Sequence, residues 1–243
     1  MELRTQKTTG ALIAVALLLA ATASAGEFRY EVRHRRLPKS SQGTLIIGDT
    51  SVSFRQADGK KRALTWAYQD IQQLEIAPKT LRVLTYRDNM WKLGADREYR
   101  FDLLSGTFTD AYNFLKSRLD ERFVAALADG GIEPLRRIPA KHLTRFGGSQ
   151  GELIFGRDRV VFETDKKNDS RTWRYSDIDS VSTSGPFQLT LTTFERARSH
   201  YGDRKGFNFQ LKQALPHAWY NELWQRVNGT KEMPFLSGYK DGF

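Results

Sequence analysis

Three groupings of side chains in this sequence have types and spacings suited to chemistry, and the first is cationic. Lys60, Lys61 and Arg62 follow the dipeptide Asp58-Gly59, and Lys166, Lys167 and Arg171 surround Asn168-Asp169. Arg35, Arg36 and Lys39 form a third basic stretch. Cations converging on one rim make an anion site, each contributing about 1 kcal/mol beside an anionic surface. Lysine-rich turns also serve solubility alone, and the residues leave both readings open. The second grouping mixes cations with rings: Trp91, Lys92 and Arg97 in one loop, Arg198, Tyr201 and Arg204 in another. This mixture suits a surface that grips acidic or aromatic groups of a partner. The alternative has the rings fold back over the core while the arginines pair with Asp96 and Asp203.

The third grouping is titratable. His34 and His142 follow Arg33 and Lys141 and are expected on strand surfaces. Asp70 and Asp177 each follow a Trp-x-Tyr pair, where a turn-forming aspartate accepts a backbone hydrogen bond. A hydrolase would need Asp70, Asp177 or His200 to converge in one cleft, as paired acids must. The sequence contains no His-Glu-x-x-His, no Gly-x-Ser-x-Gly and no phosphate-cradling glycine loop. It has no cysteine, which excludes disulfides, a thiol nucleophile and cysteine zinc sites. No catalytic residue, metal or cofactor is expected.

The elements that position these groups occur twice. Residues 41–119 align with 149–227 through single-residue shifts. Ser41-Gln42-Gly43 matches Ser149-Gln150-Gly151, Thr65-Trp66 matches Thr172-Trp173, and Tyr68-x-Asp70-Ile71 matches Tyr175-x-Asp177-Ile178. Gly94, Phe101 and Leu103 recur as Gly202, Phe209 and Leu211, and Tyr112-Asn113-x-Leu115 recurs as Tyr220-Asn221-x-Leu223. Phe28, Tyr30 and Val32 alternate with polar residues, and similar alternation predicts about seven short strands per copy. Phe108, Tyr112, Leu115, Leu119 and Phe123 then recur at helical spacing, with Gly130-Gly131 as the stop. In the second copy the helix begins near Pro216, carries Leu215, Trp219, Tyr220, Leu223 and Val227, and ends at Asn228-Gly229.

Seven strands, a terminal helix and the Trp-x-Tyr-x-Asp-Ile segment resemble bacterial pleckstrin-homology-like domains, including the GRAM-type branch. The resemblance implies a mainly β (α+β) fold of two bent antiparallel barrels, each of about seven strands and closed by a C-terminal helix. It also implies a non-catalytic binding or scaffolding role. Members that bind phosphoinositides place basic residues on the first two strands. Here Arg33, Arg35, Arg36 and Lys39 supply the first, Thr44 to Gly48 carries none, and the second copy offers only Lys141 and Arg145.

Residues 1–25 read as an export leader: Arg4 and Lys7, an apolar run from Ala11 to Ala21, then Ala23-Ser24-Ala25 before Gly26. The expected organisation is leader 1–25, repeats 26–128 and 129–229, and tail 230–243. An exported location, periplasmic or secreted, follows. The chain carries a net charge of +10 with 38 basic and 28 acidic residues interspersed. That balance favours anionic partners such as lipid, acidic polysaccharide or nucleic acid, and export places nucleic acid last. The expected function is recognition of an envelope or extracellular protein or peptide partner, through loops or an open strand edge. Peripheral binding of anionic lipid or cell-wall polymer through the basic loops is the alternative.

Overall fold

The structure, a computed structural model, describes residues 26–36, 38–59, 62–89, 95–145, 147–197, 203–229 and 231. The expected leader lies outside these, as do Lys60, Lys61, Trp91, Lys92, Arg198, His200 and Tyr201. The first copy contributes β1 (Phe28–Arg35), β2 (Ser41–Ile47), β3 (Ser51–Gln56), β4 (Leu64–Ala67), β5 (Ile71–Ile76), β6 (Thr80–Asp88) and β7 (Asp96–Leu103). Helix α1 (Tyr112–Arg118) and a short β8 (Phe123–Ala125) follow. The second copy supplies β9 (Arg136–Thr144), β10 (Gly147–Phe155), β11 (Arg159–Glu163), β12 (Arg171–Arg174), β13 (Ile178–Ser182), β14 (Gln188–Arg196), β15 (Arg204–Leu211) and α2 (His217–Asn228).

Two separate seven-stranded barrels were expected, and the structure corrects this. Among the described residues all the strands form one 15-stranded sheet, in the order β13-β14-β15-β9-β10-β11-β12-β8-β5-β6-β7-β1-β2-β3-β4. The joint is β8, which runs parallel to β5 and meets β12 antiparallel at Thr172 and Ala125. The sequence placed Phe123 on a helical stripe reaching to the Gly130-Gly131 stop, but α1 ends at Arg118. Leu119 is extended, with φ −121° and ψ 144°. The Asp120 side chain then accepts the Arg122 amide at 3.0 Å, and Phe123 N donates to Asp120 O at 3.0 Å. This turn delivers the chain to an edge that has amides to satisfy: Leu74 N donates to Arg122 O at 2.9 Å. Burying that edge without a partner would cost more than ending a helix early.

Hydrophobic burial remains divided. Trp66 packs on Tyr99 with centroids 4.6 Å apart in one cluster, and Trp173 on Phe207 at 4.7 Å in the other. Tyr112 and Leu115 of α1 complete the first cluster, and Leu223 and Val227 of α2 the second. His34 and His142, expected on strand surfaces, are both buried. The alternation that turns Val32 inward turns His34 inward two residues later.

The repeated Ser-Gln-Gly has a packing cause. A Cβ on Gly43 would lie 2.1 Å from Arg55 O, and one on Gly151 would lie 2.1 Å from Glu163 O. Both contacts are with backbone of the paired strand, which cannot swing aside. Gly43→Ala and Gly151→Ala are each expected to destabilise the chain by about 2 kcal/mol, read as a lower urea midpoint with unchanged slope.

Candidate functional site at the junction of the two copies

Where β5, β6 and β8 meet β12, β14 and β15, charged side chains gather under the sheet. Glu75 and Arg82 are register partners on β5 and β6 and form an ion pair. The same guanidinium donates to Glu98 Oε2 at 3.2 Å and to Gln73 Oε1 at 3.3 Å. From the other copy, Glu195 is buried and accepts from Trp173 Nε1 at 3.1 Å and Lys205 Nζ at 3.0 Å. Arg171 Nε lies 3.9 Å from the same carboxylate. The copies are tied by Arg196, which pairs with Asp96 and donates to Gln72 Oε1 at 3.1 Å. Burial pushes the Glu75 carboxyl up, but the charges of Arg82, Arg171 and Lys205 outweigh it and hold the group below its ordinary value. Two of those three cations belong to the other copy, so the electrostatics of the halves are coupled.

A cavity of about 550 Å³ opens here, bounded by Arg82, Arg171, Arg204, Lys205 and the carboxylates Glu75 and Glu195. A second of about 270 Å³ adjoins it through Glu75, Arg82 and Arg171 and adds Arg35, Arg100 and Asp102. Together they are lined by seven cations and three carboxylates, an excess that favours an anion. Arg82 Nε and Arg171 Nε are buried with no hydrogen-bond acceptor among the described residues. A buried donor left unpaired costs about 1–3 kcal/mol.

The cationic residues expected on rims are thus distributed differently. Arg35, from β1, pairs with Asp102 and lines the smaller cavity opposite Arg171. Arg171 is drawn inward rather than projecting with its turn. Lys166 and Lys167 stay exposed at that turn, where Lys166 Nζ reaches Gly148 O at 3.3 Å. Arg36 and Lys39 line a separate open cavity with Gln56 and Asp58, while Arg62 is exposed. Arg204 stands over the Phe194 ring at 4.3 Å on the junction face, and Arg97 over Tyr99 at 5.3 Å. Asp96 takes Arg196, not the arginine beside it in sequence.

Sequence reasoning missed Glu75, Arg82, Glu195, Arg196 and Lys205. Glu75 and Arg82 alternate with apolar neighbours and read as a solvated face. Glu195 and Lys205 occupy positions held in the first copy by Arg87 and Arg97, so the repeat gave no signal for them.

Ser149, His142 and Asp169 form another cluster, but its geometry is not that of an activated nucleophile. His142 Nδ1 lies 3.0 Å from Asp169 Oδ2, and the Ser149 hydroxyl donates to that same carboxylate. A nucleophile needs its proton taken by the imidazole; here the serine and the histidine both turn to the acid. Asp177 accepts the Arg174 amide at 2.8 Å, the turn role expected of it, whereas Asp70 is exposed. Among the described residues no three His, Asp or Glu side chains are grouped to hold a metal.

No family model and no curated protein matches the chain. The solved structure of the Spt16D Pob3N heterodimer is similar to it at 11% identity, covering 70% of this chain and 84% of that one, with a TM-score of 0.30. A likeness at that score carries neither the family nor the role that the sequence resemblance implied.

Proposed function

We propose that this chain is an exported, non-catalytic binding protein that captures a multivalent anion in the junction cleft. The observation that carries the reading is the excess of seven cations over three carboxylates lining the two adjoining cavities. A phosphate-rich or carboxylate-rich group there would face Arg171, Arg204 and Lys205. The ligand chemistry is shared by an anionic lipid headgroup and by a soluble polyanion. Export rests on the leader read in residues 1–25.

Calorimetry with inorganic tripolyphosphate and flotation with phosphatidylglycerol vesicles separate the two sources. Lys205→Gln and Arg171→Gln are expected to weaken whichever binding occurs by at least about tenfold, roughly 1.4 kcal/mol. Lys205 is the safer probe because its side chain is one-third exposed. Affinity should also fall with added salt, as the Debye length shrinks from about 10 Å to about 3 Å between 0.1 and 1 M. Binding that survives both substitutions, yet is lost when Lys60, Lys61 and Arg62 are changed to serine, would place the site on the rim and overturn the reading.

A further inference from the structure

A side cavity of about 310 Å³ shares a wall with the cationic pair, and its lining has a different character. Arg196 and Arg204 line both it and the 550 Å³ cavity. Gln73 ties them further: it borders the side cavity and accepts at 3.3 Å from Arg82, which borders the other two. Apart from the shared arginines, the side cavity carries one cation, Arg122, against Glu121 and Asp203. Arg122 is itself paired with Asp120, Nε to Oδ1 at 2.7 Å. The excess of positive charge therefore stops at the shared wall.

What remains of the lining suits an uncharged group. Leu84 and Phe194 supply apolar surface, one from each copy. Phe194 is half-buried, and with the Arg204 guanidinium 4.3 Å from its centroid it forms a surface on which a flat ring can stack. Gln72 and Gln73 bring amides whose oxygens are held by Arg196 at 3.1 Å and Arg82 at 3.3 Å. An amide fixed by its oxygen still has two N–H donors. An acyl chain would leave those donors, and the carboxylates of Glu121 and Asp203, facing hydrocarbon, which is costly. A ring with acceptors on its edge meets the apolar surface and the donors together.

We propose that the ligand of the junction cleft is an aromatic phosphate ester, with its phosphates in the cationic cavities and its ring in the side cavity between Leu84 and Phe194. This rests on the anion reading and narrows it, from any multivalent anion to one that bears a hydrogen-bonding ring.

Calorimetry on the chain from Gly26 onward, in metal-free buffer, tests it with probes that share a triphosphate: inorganic tripolyphosphate, adenosine triphosphate and hexyl triphosphate. The two esters carry less charge than tripolyphosphate, so electrostatics alone would rank them below it. The expected result is adenosine triphosphate at least about tenfold tighter than both others, the scale of one base stacked on an aromatic side chain. Phe194→Leu keeps apolar bulk and removes the ring, and is expected to bring that ratio close to one. Should this variant fail to fold, the ranking of probes on the unaltered chain decides alone. Tripolyphosphate binding as tightly as adenosine triphosphate, or hexyl triphosphate binding as tightly or tighter, would overturn the ring and leave the anion cleft standing. A ratio undiminished in folded Phe194→Leu would put the ring elsewhere and overturn the proposal. If no probe binds, both readings fall.

Discussion

Replacing Arg174 by alanine is expected to remove about 3–5 kcal/mol of stability, because this guanidinium clasps the two copies and neutralises a buried acid. It donates to Lys116 O at 3.3 Å, Leu119 O at 3.0 Å and Asp120 O at 2.7 Å, at the C-terminal end of α1 and just beyond it. Its Nη2 also reaches Asp177 Oδ1 at 2.7 Å. Truncation leaves those carbonyls short of donors, at a helix end where cations are favoured. It also strands Asp177, whose carboxyl is pushed up by burial even with Arg174 in place. At about 2–4 °C per kcal/mol for a chain of this size, Tm should fall by roughly 6–20 °C. The sign of the pH dependence supplies an internal check. An acid with a raised folded pKa favours the native state at low pH, so the deficit in Arg174→Ala should shrink as pH falls towards the carboxylate range. Arg174→Lys keeps the charge but loses the fork, and should recover only part of the loss. Urea curves at neutral and acidic pH read all three; a wild-type midpoint for the alanine variant would remove the clasp from the account.

The second large effect is acid destabilisation through His34. This imidazole is packed among Phe54, Tyr99 and Phe101, with centroids 5.3, 5.9 and 4.9 Å away. Burial, reinforced by the charges of Arg36 and Arg97, lowers its pKa from 6.5 to about 4. A depressed histidine stays neutral in the native state while the unfolded chain takes up a proton. Its contribution is therefore complete above pH 6.5, declines as pH falls through 6.5 towards 4, and levels off below that. Allowing for solvent screening of the two arginines, the loss is about 2 kcal/mol. His34→Phe should flatten the stability profile between pH 6.5 and pH 4 while leaving neutral-pH stability close to wild type. His142 sits in the equivalent place but faces Asp169, whose carboxyl is held at about 2: burial raises it, and bonds from His142 and Ser149 pull it well below. The sign there is the same, in a lower pH window. An acid with a depressed folded pKa loses its contribution only as pH drops from 3.8 to about 2. Two separated acid limbs in the wild type, the upper one abolished in His34→Phe, is the expected pattern. An unchanged upper limb would assign it to other groups.

Much of the fold was legible because the signals involved are local. A residue two positions from Val32 shares its face, so the strand positions, the inward Phe54 and Phe101, and the turns at Gly59 and Asn168 follow from alternation and from residues that accept positive φ. The same rule already pointed His34 inward, and its polarity concealed this. Phe123 shows where a local signal misleads: its spacing fits a helix, yet the unpaired edge of β5 is satisfied by the chain passing alongside as β8. The site was less legible still. Arg171 was singled out for its turn, but its position on β12 sets it beside Glu195 and the charges of β5 and β6.

What the residues alone determined is the duplication and the seven strands read in each copy, since each rests on contacts within a strand or between neighbouring ones. What only the tertiary structure decided is how the copies join: one sheet through β8, Arg174 across the seam where the first copy has Ala67, and a charged cleft assembled from both sides. The physical reason is range. Alternation and turn preference act over a few residues, whereas pairing a buried charge or satisfying a strand edge depends on whichever distant segment the fold brings within about 3 Å.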